Sequence, residues 1–346
     1  MRRLPAEWEK QDGIILTWPH QYNDWQSSLP LVEKVFAEIA YHAAHRQSVL
    51  INCWNESHAN HIKEILHLKS TNLSNVQFTV TPSNDTWARD HGPVTILEDH
   101  SPILLDFQFN GWGGKHEFTL DNSITLNMQK AGIFGNSELN RIDFILEGGS
   151  IDSDGLGTLL TTRDCLLSDS RNSDLNKDQI ETRLKFLLGI ERFLWIENGY
   201  LAGDDTDNHI DMLARFCNSN TIAYSACSNN LDEHYFALKA MESELVNFRT
   251  TDNQPYQLVP LPIPAAIANA AGDRLPASYA NFLIINNAVL LPHYNVPEDI
   301  IAHKNLESCF PEREIIGIDC RPLIEQYGSL HCVTMQLPAG ILEPKD

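Results

Sequence analysis

The sequence predicts a mixed α/β fold assembled from a recurring strand-strand-helix-strand unit. Apolar strand and helix patterns alternate over residues 13–80, four hairpin patterns follow, and three of those hairpins lead into a helical period and then a short apolar strand. A spacing of this length between hairpins is long enough for one strand-strand-helix-strand unit and suggests an array around an axis.

Residues 13–19 (GIILTWP) form an apolar run expected to be a buried strand, and residues 31–44 carry apolar side chains at 32, 35, 36, 39 and 43, the period of a helix with one core face. Residues 48–53 (SVLINC) and 76–80 are further strands around a helix at 57–68. The hairpins pair 93–97 with 103–107, 144–151 with 158–162, 209–216 with 221–225, and 280–285 with 289–292. Their turns read EDHS, SDGLG, CNSN and NN, in which Asp-Gly and Asn-Asn suit positive φ. Helices at 178–188 (apolar at 180, 184, 187 and 188), 231–248 (apolar at 231, 235, 238, 241, 245 and 248) and 297–310 lead to strands at 193–196, 257–261 and 315–318. The hairpins begin roughly every fifty to seventy-five residues, the first unit spans 13–80, and the last wraps to Cys332. No low-complexity linker interrupts them, so one catalytic domain spanning 1–346 is expected, with its units arrayed around an axis.

Composition narrows the partners. With 46 acidic and 25 basic residues the formal charge is −21, which repels nucleic acid and anionic membranes and favours a small cationic ligand. The seven scattered cysteines form no Cys-x-x-Cys pair, against a disulfide framework and a structural zinc site and in keeping with a reducing compartment. With no apolar span of membrane length and no basic-then-apolar leader, the expectation is an unexported, cytoplasmic protein. The sequence is compatible with a homodimer or a larger homo-oligomer.

Five segments place acidic or reactive residues inside apolar patterns: DTWARD (85–90), EGG (147–149), DDTDNHID (204–211), SYANF (278–282) and GSLHCVT (328–334). Each falls at a corresponding edge of a repeat, so units ringing an axis would bring them to one place. Cys332 taken alone is a small buried hydrophobe as readily as a nucleophile. On a strand, His209 and Asp211 would share a face with Ile210 turned inward, whereas His331 and Cys332 would point apart, which makes His209 the better base. Glu147 is expensive to bury without a cation, although an edge glutamate in water is the plain alternative. Asp90 beside Arg89 reads as a structural ion pair when taken alone, Asp207 as a solvated turn, and Trp87 and Trp112 as packing that can also face a cation or an alkyl chain. Together these groups suit a guanidinium, a planar cation that carboxylates grip edge-on while a thiolate approaches its carbon.

As a set, these segments, with PAEWE (5–9), TWPH (17–20) and FNGWGG (109–114), closely resemble the agmatine deiminases, in order and over nearly the full chain. The resemblance implies a pentein-type five-fold pseudo-symmetric α/β propeller, related to that of arginine and peptidylarginine deiminases. It implies hydrolysis of agmatine to N-carbamoylputrescine and ammonia, in putrescine and polyamine synthesis, through a covalent thiouronium on Cys332. His209 would be acid and then base, Asp90 and Glu147 would hold the guanidinium, and Asp211 would stand beside His209. Asp205 would meet the distal ammonium and Trp87 would line the alkyl channel, with no cofactor and no metal. Two departures bear on loop shape and so on substrate preference: Asn208 stands where the family commonly has glycine, and only Gly328 remains of a glycine-rich run before His331 and Cys332.

Three alternatives remain from the residues alone. A metal-dependent hydrolase would use Asp204, Asp205, Asp207, His209 and Asp211 as ligands. A thiol enzyme acting on free arginine or on peptidyl-arginine is the second; arginine would need a cation for its carboxylate, and none is assignable. A non-catalytic polyamine-binding protein would bind agmatine without turnover.

Overall fold

A computed structural model of the chain describes residues 1–342, whose strands form five sheets. The chain divides into two compact units, one made of Met1–Arg2, Glu9–Gly148 and the chain from His331 onward, the other of Arg3–Trp8 and Gly149–Leu330.

In the first unit, Gln11–Thr17 lies between Thr334–Pro338, antiparallel, and Ser48–Cys53, parallel, with Val76–Val80 added parallel at the far side. A parallel pair needs a crossover, supplied here by the helix Leu29–Ala44. Its buried Val32, Val35, Phe36, Ile39 and Ala43 are the five positions whose spacing predicts it, and each of the larger side chains contributes about 1.5–3 kcal/mol of burial. Val94–Glu98 and Ser101–Gln108 form a hairpin through Asp99 and His100, both at positive φ, and Glu138–Ile145 pairs parallel with the second strand.

The second unit repeats one pattern three times. An antiparallel pair is followed by a helix and a parallel third strand: Ile151–Ser153, Thr158–Thr162, Lys177–Leu188 and Arg192–Ile196; then Ala214–Asn218, Thr221–Ala226, Tyr235–Asn247 and Gln257–Pro262; then Leu283–Ile285, Ala288–His293, Glu298–Cys309 and Glu314–Asp319. The helix Lys177–Leu188 starts at a reciprocal cap between Asn176 and Gln179 and stops at Gly189, whose φ of +68° ends it at low cost. Gly155 and Asn287 supply the positive φ that two of the hairpin turns require.

Three expectations are corrected. Residues 144–145 end the strand Glu138–Ile145, which completes the preceding sheet, so the second hairpin begins only at Ile151. Residues 209–213 are not strand; the hairpin starts at Ala214. Leu231 is 90% exposed ahead of its helix, because Asp232 accepts hydrogen bonds from the His234 backbone and ring and from Arg274 and so holds a turn there.

One buried carboxylate makes stability depend on pH. Asp106 faces Arg141 across the parallel pair at 3.2 Å, yet burial outweighs that guanidinium and pushes the carboxyl up to about 6. A carboxyl raised above its unfolded value of 3.8 favours the folded chain fully below that value, and the contribution is lost as pH rises through about 6. Asp106→Asn, uncharged throughout, should therefore gain stability relative to the native chain between pH about 4 and 6, by about 1–3 kcal/mol at neutrality. Thermal unfolding of both proteins at stepped pH checks this, and a pH-independent difference would contradict it.

Candidate active site

In the first unit the site is built around one arginine. Trp87 leads into the single helical turn Ala88–His91, which carries Arg89 and Asp90. The Arg89 backbone N–H donates to the Cys332 carbonyl at 3.1 Å and its Nε to the His331 carbonyl at 3.4 Å, while Nη1 reaches Gln336 and Met335. A Cβ on Gly148 would stand 2.3 Å from the Arg89 carbonyl oxygen, so only glycine lets the Glu147 segment approach this turn. Arg89 thus ties its own turn to the His331–Cys332 segment, with the Glu147 segment packed closely against it. These segments carry Asp90 (4% exposed), Glu147 (0%) and Cys332 (6%).

Trp112 belongs to the same unit, and its indole N–H donates to Asp90 Oδ2 at 3.1 Å. Gly111, Trp112, Gly113 and Gly114 all have positive φ, and for a tryptophan at +54° this is a strained conformation. Asn110 holds the loop by accepting the Gly113 N–H at 2.9 Å. Strain held this way places a hydrogen-bond donor on the carboxylate, a use of Trp112 that ring packing alone does not suggest.

In the second unit, His209 (1% exposed) and Asp211 (0%) flank the start of a 3-10 turn, Ile210–Met212. Off a strand, their side chains do not alternate between two faces; the same holds for His331 and Cys332, which lie in the turn before Thr334–Pro338. The loop before His209 is tightly determined. Asp204 accepts the Thr206 hydroxyl at 2.7 Å and the Asn208 N–H at 2.8 Å, Thr206 Oγ1 accepts the His209 N–H at 3.1 Å, and Thr162 donates to the Asn208 carbonyl at 2.7 Å. Arg171, whose side chain is 1% exposed, pairs with Asp207 at 2.6 Å and donates to the Thr206 carbonyl at 2.9 Å. Burial pushes the Asp204 carboxyl up, opposed by the nearby His209. Asp204 and Asp207 thus shape this loop, the first by bonds within it and the second through Arg171.

Asp205 is half-buried in that loop. Behind Asp211, the Met212 carbonyl accepts hydroxyl donors from Ser278 at 2.7 Å and Ser225 at 3.0 Å, which gives the SYANF segment its place. Arg215, fully buried, pairs with Glu7 at 3.0 Å and Asp152 at 3.2 Å. Burial alone would lower its pKa, but Glu7, Asp152 and Asp211 raise it on balance, so the guanidinium stays charged beside Asp211.

The structure thus brings Trp87, Asp90, Trp112, Glu147 and Cys332 into one unit and Asp205, His209 and Asp211 into the other. Arg171 and Arg215 escaped the sequence reading, although an arginine inside the apolar run MLARFC is itself a signal that buried acids await it.

Asp207 and Asn208 have φ of +66° and +64°, and asparagine is the non-glycine residue that tolerates this region best. Asn208→Gly should leave stability nearly unchanged, while Asn208→Val should cost about 1–2 kcal/mol in thermal unfolding. Equal effects from the two would remove the backbone explanation.

The family model for Porphyromonas-type peptidyl-arginine deiminases matches residues 3–338. A Latilactobacillus sakei (strain 23K) protein, provisionally named an agmatine deiminase, is 32% identical over 98% of this chain and 96% of its own. Among solved structures, C. jejuni agmatine deiminase in a cysteine-to-serine variant with substrate bound superposes with a TM-score of 0.91 at 40% identity, over 99% of this chain and 97% of that one. A Porphyromonas gingivalis protein, provisionally described as an arginine deiminase, gives 0.92 at 45% identity over 99% and 100%.

Proposed function

Since the chain belongs to the Porphyromonas-type peptidyl-arginine deiminase family, we propose that it is an agmatine deiminase, hydrolysing agmatine to N-carbamoylputrescine and ammonia within putrescine synthesis. In this reading the Cys332 thiolate adds to the guanidinium carbon, and Asp90 and Glu147 hold the guanidinium N–H groups as positive charge shifts in the tetrahedral adduct. His209 protonates the departing nitrogen, ammonia leaves, and a thiouronium stays on the sulphur. His209 then takes a proton from water, whose oxygen attacks the same carbon, and collapse expels the thiolate and the ureido product. Acid-base assistance of this kind contributes about 10²–10⁴ in rate. Asp211 keeps His209 oriented, Asp205 meets the distal ammonium, Trp87 lines the alkyl chain, and residues 1–346 form one catalytic domain.

The observation that carries this is that the Asp90, Glu147 and Cys332 segments meet at one arginine, which the Cys332 segment bonds and the Glu147 segment packs against, so that two carboxylates and a thiol are buried around it. A solved relative that keeps substrate bound after a cysteine-to-serine change supports assigning the chemistry to sulphur. No helix of the described residues is long and apolar enough to cross a membrane. With seven free cysteines, the cytoplasm is the proposed location.

Arginine or peptidyl-arginine is the second reading, favoured by the family description and the P. gingivalis relative. Ureido product is to be measured with agmatine, arginine and an arginyl peptide. Agmatine should exceed arginine in kcat/KM by about 10²-fold or more, because an extra carboxylate without a cation to meet it costs several kcal/mol to bury. A preference for arginine or the peptide would replace the agmatine reading.

A further inference from the structure

The DTWARD segment contains a second carboxylate that the chemistry above does not use. Asp85 accepts the Trp25 indole N–H on Oδ1 and the Trp87 indole N–H on Oδ2, each at 2.8 Å, and the Thr86 backbone N–H also reaches Oδ1 at 2.8 Å. The two rings lie 5.7 Å apart at 52°, with Trp25 wholly buried and Trp87 5% exposed. One carboxylate therefore fixes two indoles from separate stretches of the first unit.

Asp85 is itself held from behind. Its backbone N–H donates to Asp121 Oδ2 at 3.1 Å, the Asn84 N–H donates to Asp121 Oδ1 at 2.7 Å, and the Asn84 side chain accepts the Leu120 N–H at 2.8 Å. Burial and then the Asp85 charge push the Asp121 carboxyl well up.

We propose that Asp85 is a positioning residue for substrate length. By gripping both indole N–H groups it sets the plane of Trp87, with Trp25 as the buttress behind it, and so fixes the wall against which the polymethylene chain of an ω-aminoalkylguanidine lies. This rests on the agmatine reading, in which Trp87 lines that chain. Asparagine at 85 offers one oxygen and turns an N–H₂ donor toward the other indole, so one ring is released. Trp25→Phe keeps a buttress ring but removes one of the two donors.

The test compares kcat/KM for agmatine with that for its homologues one methylene shorter and one longer. A well-formed apolar wall discriminates a single methylene by about 10–200-fold. The native enzyme should show such a preference. Asp85→Asn should reduce it to about twofold or less, and Trp25→Phe to an intermediate value. Loss of activity on all three substrates in equal proportion, in either variant, would mean that Asp85 serves only the fold and would overturn the proposal. Should Asp85→Asn fail to fold, an unchanged length preference in Trp25→Phe overturns it equally. Failure of the native enzyme to act on agmatine would instead defeat the reading beneath it, so the two failures are distinguishable.

Discussion

Cys332→Ser should abolish ammonia release from agmatine, by roughly 10⁴-fold or more, while agmatine still binds. In the proposed mechanism the sulphur forms and breaks the bond to carbon, and removing a nucleophile from a constellation that acts as a unit costs nearly all of the acceleration. Binding should survive because the guanidinium grip is assigned to Asp90 and Glu147, whose placement relies on Arg89 and Gly148 rather than on the thiol. Calorimetric titration of the serine variant with agmatine, beside an ammonia assay, reads both effects. His209→Ala should lose turnover comparably, and Asp205→Asn should act chiefly on KM. Near-native turnover by the serine variant would remove the covalent mechanism.

Arg215→Met should destabilise the chain by about 3–5 kcal/mol, a larger effect on folding than that of Asn208→Val or Asp106→Asn. The guanidinium pairs with Glu7 and Asp152, donates to the Phe282 carbonyl at 3.0 Å and lies 5.0 Å from the Phe282 ring centroid. Glu7 and Asp152 also accept the backbone N–H groups of Ile284 and Phe216, so they cannot turn away to water when their cation is lost. Methionine fills the volume and leaves both carboxylates buried and uncompensated. Urea unfolding of Arg215→Met and of Glu7→Gln/Arg215→Met separates the terms. The double variant should recover part of the loss, and a single-variant loss below about 1 kcal/mol would show that the triad contributes little.

The repeat pattern was legible because it is written in local features: apolar periods of 2 and 3.6, turn residues able to take positive φ, and caps such as Asn176 with Gln179. Sheet membership was less so. Glu138–Ile145 and Ile151–Ser153 are nearly continuous in sequence, and only pairing partners far along the chain reveal that a sheet changes between them. The chemistry-bearing residues are recognisable by type and by their resemblance to a family, but their apolar surroundings in the sequence suggest strands. His209, Asp211 and Cys332 lie in turns, where the alternation of side chains has no force. The supporting arginines were hardest to see, because Arg89, Arg171 and Arg215 reach carbonyls and carboxylates that sequence distance conceals.

The pairing of Thr334–Pro338 with Gln11–Thr17 has a consequence for biosynthesis. Leu16 finds its partner Thr334 roughly three hundred residues later, so one edge of an early strand stays open through most of translation. The residue assigned as nucleophile arrives with the strand that closes that edge. Fragments ending before that strand would keep the edge of Gln11–Thr17 open to pairing with other chains and lack the proposed nucleophile.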